Sequence, residues 1–364
     1  MLFDLKDFGF TGADFLAAQE ITEKKSGYIS GRIIEAQRSR YRVICEQGEV
    51  IAEIKGNFYH KNEREEPNDC PVTGDFVVFK YNGQGSSLID TVLRRRSVFS
   101  RVDFLGHAEG YAKNVREQTL ASNFDYIFIM SSLNHDLNIN RITRYLTVSL
   151  QSGGFPVIIL TKADLVDDAG THISQVRKIA RGVPVIAISC KSGSGLDELS
   201  PFLEPAKTVV FLGSSGVGKS SLLNCLAGKI LMEVKEIRDD DSKGRHTTTY
   251  RQLFRLDSGA LVIDTPGIRE IGLWDSSEGI SLAFPEIEEL FSGCRFNDCS
   301  HRSEPGCAVL AALEDGSLSN DQWKRYLSQR KENNFVINHS AYLKQKQEWA
   351  KSISRFSRGM KRSK

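Results

Sequence analysis

Eight consecutive residues, Gly213, Ser214, Ser215, Gly216, Val217, Gly218, Lys219 and Ser220, satisfy the pattern G-x-x-x-x-G-K-[ST]. The chemistry of that spacing is phosphate binding. Its glycines let successive backbone N–H groups turn inward around a phosphate chain, and a helix starting here adds the positive end of its dipole. Lys219 is expected to reach the β- and γ-phosphates, Ser220 to ligate Mg²⁺, and Ser221 to extend the cradle by one residue. About 45 residues on, Asp264-Thr265-Pro266-Gly267 ends an apolar run. Asp264 suits a Mg²⁺-holding aspartate, acting through water, and the Gly267 amide suits a γ-phosphate sensor.

Between these motifs lies the polar stretch IRDDDSKGRHTTTY. A threonine hydroxyl here would join the Mg²⁺ shell when the γ-phosphate is present; of Thr247, Thr248 and Thr249, Thr248 is favoured. The residue after D-T-P-G is Ile268, where Ras-like enzymes carry the glutamine that orients the attacking water. Isoleucine cannot do this, so slow intrinsic hydrolysis is expected. His246 is the candidate to orient that water, against the plainer reading of an exposed loop histidine.

Base selection points upstream. Thr161-Lys162-Ala163-Asp164 follows the run PVIIL, and Ser189-Cys190-Lys191 follows PVIAI. The Asp164 carboxylate can accept both N1–H and the exocyclic N–H of guanine, a donor pair adenine lacks. The Lys162 stem would lie over the ring, and the S-C-K backbone amides would meet guanine O6. Each motif is weak alone. At the carboxyl ends of successive parallel strands, where such sheets bind ligands, they make a set. A P-loop kinase or transporter ATPase is the distant rival, and T-K-A-D argues against it.

A different chemistry sits near the C-terminus, where Cys294, Cys299, His301 and Cys307 are spaced C-x4-C-x-H-x5-C. Thiolates with one imidazole are the ligand set of a closed structural zinc site. Cys45, Cys70, Cys190 and Cys225 are scattered and read as ordinary small apolar side chains.

These residues need scaffolds. GYISGRIIEA, RYRVICE, EVIAEIKG, DFVVFKY and SLIDTVLR are short β-like runs separated by turn residues. Five such strands predict a small barrel, OB-fold or SH3-like. From about residue 120, DYIFIMS, PVIILT, PVIAIS, TVVFLG and ALVIDT are near-continuous apolar runs, as buried parallel strands should be. Helically spaced stretches lie between them, which predicts a doubly wound α/β domain. The base motifs precede the phosphate loop, the reverse of the usual order, so this domain is read as a circularly permuted P-loop GTPase. No flexible linker separates the parts, so they are expected to pack directly on one another.

Charge and composition narrow the class. The chain has 364 residues, 40% hydrophobic, with a net charge of +2 that names no partner. The neutrality hides a split, because residues 341–364 carry eight basic residues against Glu348, and the rest of the chain is net −5. Such a tail can dock on phosphate backbones. Seven cysteines suit no disulfide framework, no apolar run reaches the 18 residues of a membrane span, and MLFDLKDFGFTG lacks the zones of an export leader. A cytoplasmic protein with no membrane association is therefore expected.

Barrel, permuted GTPase and C-x4-C-x-H-x5-C module, in that order, resemble the RsgA family (also called YjeQ or YloQ), bacterial small-subunit ribosome biogenesis GTPases. LRRRSVFSR (93–101) is similar to that family's barrel-to-GTPase junction, and GRHTTT (244–249) to its effector loop. Thr161 stands where many GTPases have Asn, and Cys190 where Ala is usual. The resemblance implies an OB-fold barrel, a mostly α zinc-binding C-terminal domain, and GTP hydrolysis to GDP stimulated by the 30S subunit during its late maturation. It implies domains over 27–98, 99–285 and 286–364 after an extension of 1–26, and a monomer holding one Zn²⁺ and binding Mg²⁺ with GTP. The barrel and zinc module would grip rRNA, with Arg94, Arg95, Arg96 and Arg101 as phosphate contacts unless they pair with internal acids. The rival class is an RNA-binding assembly factor whose nucleotide only locks a conformation.

Overall fold

A computed structural model describes residues 3–37, 39–54, 70–105, 114–134, 137–180, 182–232, 251–264 and 276–338, with backbone alone at 102–105 and 114–116. The first helix, α1 (Gly12–Thr22), opens on a capping box. The Thr11 hydroxyl accepts from the Asp14 amide, and the Asp14 carboxylate accepts from the Thr11 amide at 2.9 Å, satisfying two otherwise orphaned groups.

Five strands follow: β1 (Tyr28–Ala36), β2 (Arg40–Cys45), β3 (Gly48–Ile54), β4 (Phe76–Lys80) and β5 (Ser87–Val92). They pair in the order β1-β2-β3-β5-β4, and β4 returns to β1. The β3–β5 pairing is parallel and the others antiparallel. That closed five-stranded order is the OB-type Greek key, which resolves the choice against an SH3-like barrel. Ile33, Val43, Ala52, Val77, Phe79 and Ile89 fill its interior at 0% exposure.

Strands β6 (Val98–Leu105) and β7 (Asn114–Ser122) form a two-stranded sheet. The α/β region then runs β8 (Tyr126–Ser132), α2 (Ile139–Gln151), β9 (Phe155–Thr161), α3 (Ala169–Ala180), β10 (Val185–Ala187), β11 (Thr208–Gly213), α4 (Lys219–Ala227), β12 (Arg251–Arg255) and β13 (Leu261–Asp264). Strands β10-β9-β8-β11-β13 lie side by side and parallel. Residues 127–130, 157–160, 209–212 and 261–263 are buried along their whole length, as strands covered on both faces require. Helix α2 packs on β8 and β9, and α3 on β10.

Beyond β13 the sheet does not end. Strand β12 pairs antiparallel with β13 and, on its other side, antiparallel with β1 of the barrel. Barrel and nucleotide-type sheet are therefore one hydrogen-bonded surface of eleven strands, and the direct packing expected from the missing linker holds for these two parts. Arg32 lies wholly buried at this seam. It donates to the carbonyls of Phe8 (2.6 Å), Gly74 (3.2 Å) and Asn123 (2.7 Å) and to the Thr208 hydroxyl (2.9 Å). Burial pulls its pKa down to about 9, which still leaves a cation at neutral pH.

The chain divides into two compact units, 1–100 with 119–270, and 101–118 with 271–364. The second contains α5 (Ser277–Ala283), α6 (Pro285–Ser292), α7 (Ala308–Glu314) and a helix, α8, over 320–338. Pro285 opens α6 at a position whose N–H has no helical partner anyway. Ile280, Phe284, Ile287, Val309, Leu318 and Tyr326 form its small apolar interior. No helix among the described residues is long and apolar enough to cross a membrane.

Candidate nucleotide site and candidate metal centre

The phosphate-loop residues join the end of β11 to the start of α4. Gly216 (φ 77°) and Gly218 (φ 107°) adopt left-handed backbone that other residues resist, which turns the loop back over the helix. Lys219 is largely buried, and its ammonium donates to the carbonyls of Gly213 (2.6 Å) and Ser214 (2.8 Å). The cation is thereby held inside the curve of the loop. Ser220 and Ser221 follow in the first turn of α4.

The upstream base motifs come to the same end of the sheet, because β9, β10, β11 and β13 are parallel and each motif follows a carboxyl end. Thr161 has a specific task there: its buried hydroxyl donates to the Val217 carbonyl at 2.6 Å, tying the T-K-A-D loop to the phosphate loop across the intervening β8. Lys162 is left-handed (φ 60°), a conformation that persists only where neighbours fix it. Ala163 N–H supplies that restraint by donating to the Ile188 carbonyl at 3.0 Å.

Asp164 is exposed, and the Ser189 hydroxyl donates to its carboxylate at 2.6 Å. That bond, helped by the charges of Lys191 and Lys162, holds the carboxyl below the usual carboxylate range. Ser189 also accepts from the Lys191 and Ser192 amides, each at 3.2 Å. One hydroxyl therefore organises both loops. At Cys190, burial, with the Cys225 thiol as neighbour, pushes the thiol up to about 12, and Cys225 Sγ donates to the Cys190 carbonyl at 3.6 Å. Cys225 and Cys70 are exposed, so only Cys45 of the four scattered cysteines is a fully buried apolar side chain.

Asp264, the last residue of β13, is buried at 4% exposure. Its carboxylate and the Ser220 hydroxyl are hard oxygen donors of the kind Mg²⁺ prefers. Ser189 and Lys191 lie in the segment after β10, Gly213 ends β11, and Val217 lies between β11 and α4. His246, Thr247, Thr248, Thr249, Gly267 and the basic tail lie outside the described residues. The junction arginines divide: Arg95 grips buried Asp75 with Nε and Nη2 at 2.8 Å each, Arg96 donates to the Gly9 carbonyl at 3.1 Å, and Arg101 donates to Gln118 at 2.9 Å. Pairing with an internal acid is thus the outcome for Arg95 and also for Arg96, whose Nη1 lies 3.6 Å from the buried Asp14 carboxylate, while Arg94 is exposed.

In the C-terminal unit the ligand atoms of Cys294, Cys299, His301 and Cys307 all lie within 4.8 Å of one another. Cys294 Sγ is 3.5 Å from His301 Nδ1 and 4.0 Å from Cys307 Sγ, and Cys307 Sγ is 3.5 Å from the same Nδ1. A tetrahedron with zinc–sulfur bonds near 2.3 Å has edges of about 3.8 Å, so the donor set fits Zn²⁺. Burial lowers the His301 pKa and favours the neutral ring a metal requires. The Glu304 carboxylate accepts from the Ser300 hydroxyl and from the amides of Ser300, Arg302 and Ser303, pinning the loop between Cys299 and Cys307. Sequence reasoning missed the aromatic wall around the histidine. Phe291 stacks on His301 at 4.3 Å, and Trp323 meets it edge-on at 6.1 Å. The i, i+3 spacing of Trp323 and Tyr326 was its only trace.

Comparison with known proteins places these features. The RsgA GTPase family model matches residues 93–274. An ABC transporter model matches 196–363, a stretch holding the phosphate-loop pattern that both classes share but not T-K-A-D. The chain is 46% identical over 329 residues to small ribosomal subunit biogenesis GTPase RsgA 2 of Listeria monocytogenes serotype 4b, covering 90% of this chain and 89% of that one. Among solved structures, YjeQ from Thermotoga maritima is similar with a TM-score of 0.60 at 25% identity, covering 84% of this chain and 98% of that one. YloQ, described as a circularly permuted GTPase, has a TM-score of 0.56 at 26% identity, covering 84% and 95%.

Proposed function

Because the chain belongs to the RsgA GTPase family, we propose that it binds the small (30S) ribosomal subunit and hydrolyses GTP to GDP and phosphate during late maturation of that subunit, with the subunit stimulating hydrolysis. One observation supports this most: the Thr161–Val217 bond and the Ser189–Asp164 bond gather base-recognition and phosphate motifs at one end of one sheet.

In this reading Asp164, Lys162, Ser189, Cys190 and Lys191 take the guanine, and the loop from Gly213 to Ser221 takes the phosphates. Lys219 swings its ammonium from loop carbonyls to the β- and γ-phosphates. Ser220, Asp264 and Thr248 would hold Mg²⁺, which supplies charge neutralisation between the β- and γ-phosphates. Gly267 senses the γ-phosphate and His246 orients the water. Cys294, Cys299, His301 and Cys307 would hold one structural Zn²⁺. The barrel (27–98), GTPase domain (99–285) and zinc module (286–364) divide the work, and the barrel, the zinc module and the basic tail meet rRNA. The working form is a cytoplasmic monomer.

The test is multiple-turnover GTP hydrolysis with and without purified small subunits, alongside cosedimentation with a non-hydrolysable GTP analogue. Stimulation of about ten-fold or more is expected, with binding that depends on the analogue. Unstimulated turnover would instead favour an assembly factor whose nucleotide only locks a conformation.

A further inference from the structure

The proposed contact to guanine O6 uses the backbone amides of Ser189-Cys190-Lys191 and leaves the sulfur of Cys190 idle. That sulfur has a neighbour. Cys225 of α4 is 35 residues further along the chain, yet its Sγ donates to the Cys190 carbonyl at 3.6 Å. The two thiols also lie within hydrogen-bonding reach of each other, and both are free. A nucleophilic pair is thus drawn from two elements of the nucleotide site, the loop after β10 and the helix that follows the phosphate loop.

The two sulfurs differ in access. Cys225 is exposed, whereas Cys190 packs against the core of the sheet, and burial pushes its thiol up to about 12. An oxidant therefore meets Cys225 first. Attack of the Cys225 sulfur on hydrogen peroxide breaks the O–O bond, leaving a sulfenic acid and one water. The Cys190 sulfur then attacks the Cys225 sulfur; the S–S bond forms as the sulfenic oxygen departs with the Cys190 proton as a second water. Contact between the two thiols makes this second step intramolecular. Helix α4 is anchored in the core by Leu222, Leu223 and Ala227, so bringing the sulfurs to covalent distance must draw the loop. Ser189 is the adjacent residue, and its hydroxyl holds Asp164 at 2.6 Å and the Lys191 and Ser192 amides at 3.2 Å. A pull on Cys190 therefore reaches the carboxylate proposed to select guanine.

We infer that Cys190 and Cys225 form a reversible oxidation site, at which a hydroperoxide closes a disulfide that weakens guanine-nucleotide binding. The inference rests on the proposed role of the Asp164 and S-C-K loops. The test treats the full-length chain with hydrogen peroxide, blocks the remaining thiols, maps linked peptides by mass spectrometry and measures GDP affinity before and after. A link between residues 190 and 225 is expected, with GDP affinity about ten-fold lower and restored by dithiothreitol. Coupling of this kind is reciprocal, so saturating GDP should favour the dithiol by the same factor in a glutathione redox buffer.

Cys225→Ser should keep the affinity of the reduced chain and lose the response to peroxide; Cys225→Ala should do the same, which keeps the test open if the serine variant folds poorly. Absence of the link in the folded, oxidised chain would overturn the inference, as would a link that leaves GDP affinity unchanged. An equal loss of affinity in oxidised Cys225→Ser would also overturn it, because other thiols would then be responsible. Asp164→Asn separates the inference from the reading beneath it. If that variant binds GDP as the parent does, the guanine reading fails first and the inference with it. If it binds GDP weakly while the linked chain binds normally, only the inference fails.

Discussion

In the unit that carries the barrel, every strand of the nucleotide region has a hydrogen-bonded neighbour, and the edge that would have been open, β12, is covered by β1. In the C-terminal unit, three helices of seven, eight and seven residues and the longer α8 surround a few apolar side chains and four metal-type ligands. The three short ones are marginal without strong tertiary restraint. The first region holds itself by ladder and core; the second needs a cross-link, and zinc would be that cross-link. Metal and polar seam should therefore be separable supports, each governing its own unit.

The widest separation should come from the metal. Chelation, or Cys307→Ser, removes a binding free energy of about 10 kcal/mol from the C-terminal unit. The expected outcome is protease sensitivity confined to 286–338 with GDP affinity intact; lost GDP binding would break the comparison. A smaller effect is expected at the seam. Arg32→Met strips a donor from three buried carbonyls and should cost about 3 kcal/mol, read as a lower urea midpoint for the nucleotide-binding unit. Zinc content, measured by a colorimetric chelator, should stay the same.

The smallest effect tests the loops. The Ser189 hydroxyl depresses the Asp164 pKa, so the carboxylate stays ionised as the pH falls through the range where an ordinary aspartate takes a proton. Ser189→Ala should raise that pKa. GDP affinity of the variant should then decline toward pH 4 more steeply than that of the parent, by about three-fold, with the curves converging at pH 7 and above. Parallel curves in a fluorescent-GDP titration would show that Ser189 orients the loop without tuning the charge.

Much of this was readable from residue pattern. The five barrel runs and the apolar runs of β8, β9, β11 and β13 fall within two residues of the observed strands, because burial on one or both faces writes a period into the side chains. Strand β12 was not readable. Its sequence RQLFR is short and polar-ended, and its partner β1 lies over two hundred residues away. The use of Arg95 was equally hidden, since a run of arginines looks the same whether it faces phosphate or a buried aspartate such as Asp75. Thr161 was legible as a motif position, but its bond to Val217 depends on two loops meeting in space.

The permuted order also bears on how the protein is made. Strands β8 to β10, with their base-recognition loops, leave the ribosome before β11, which must lie between β8 and β13. About fifty residues separate Asp164 from Gly213, roughly 3 to 10 s of synthesis. During that interval one edge of β8 has no partner and nucleotide has no phosphate loop to bind. GTP therefore cannot template the first half of its own site, and the growing chain must keep that apolar edge from pairing elsewhere until β11 emerges.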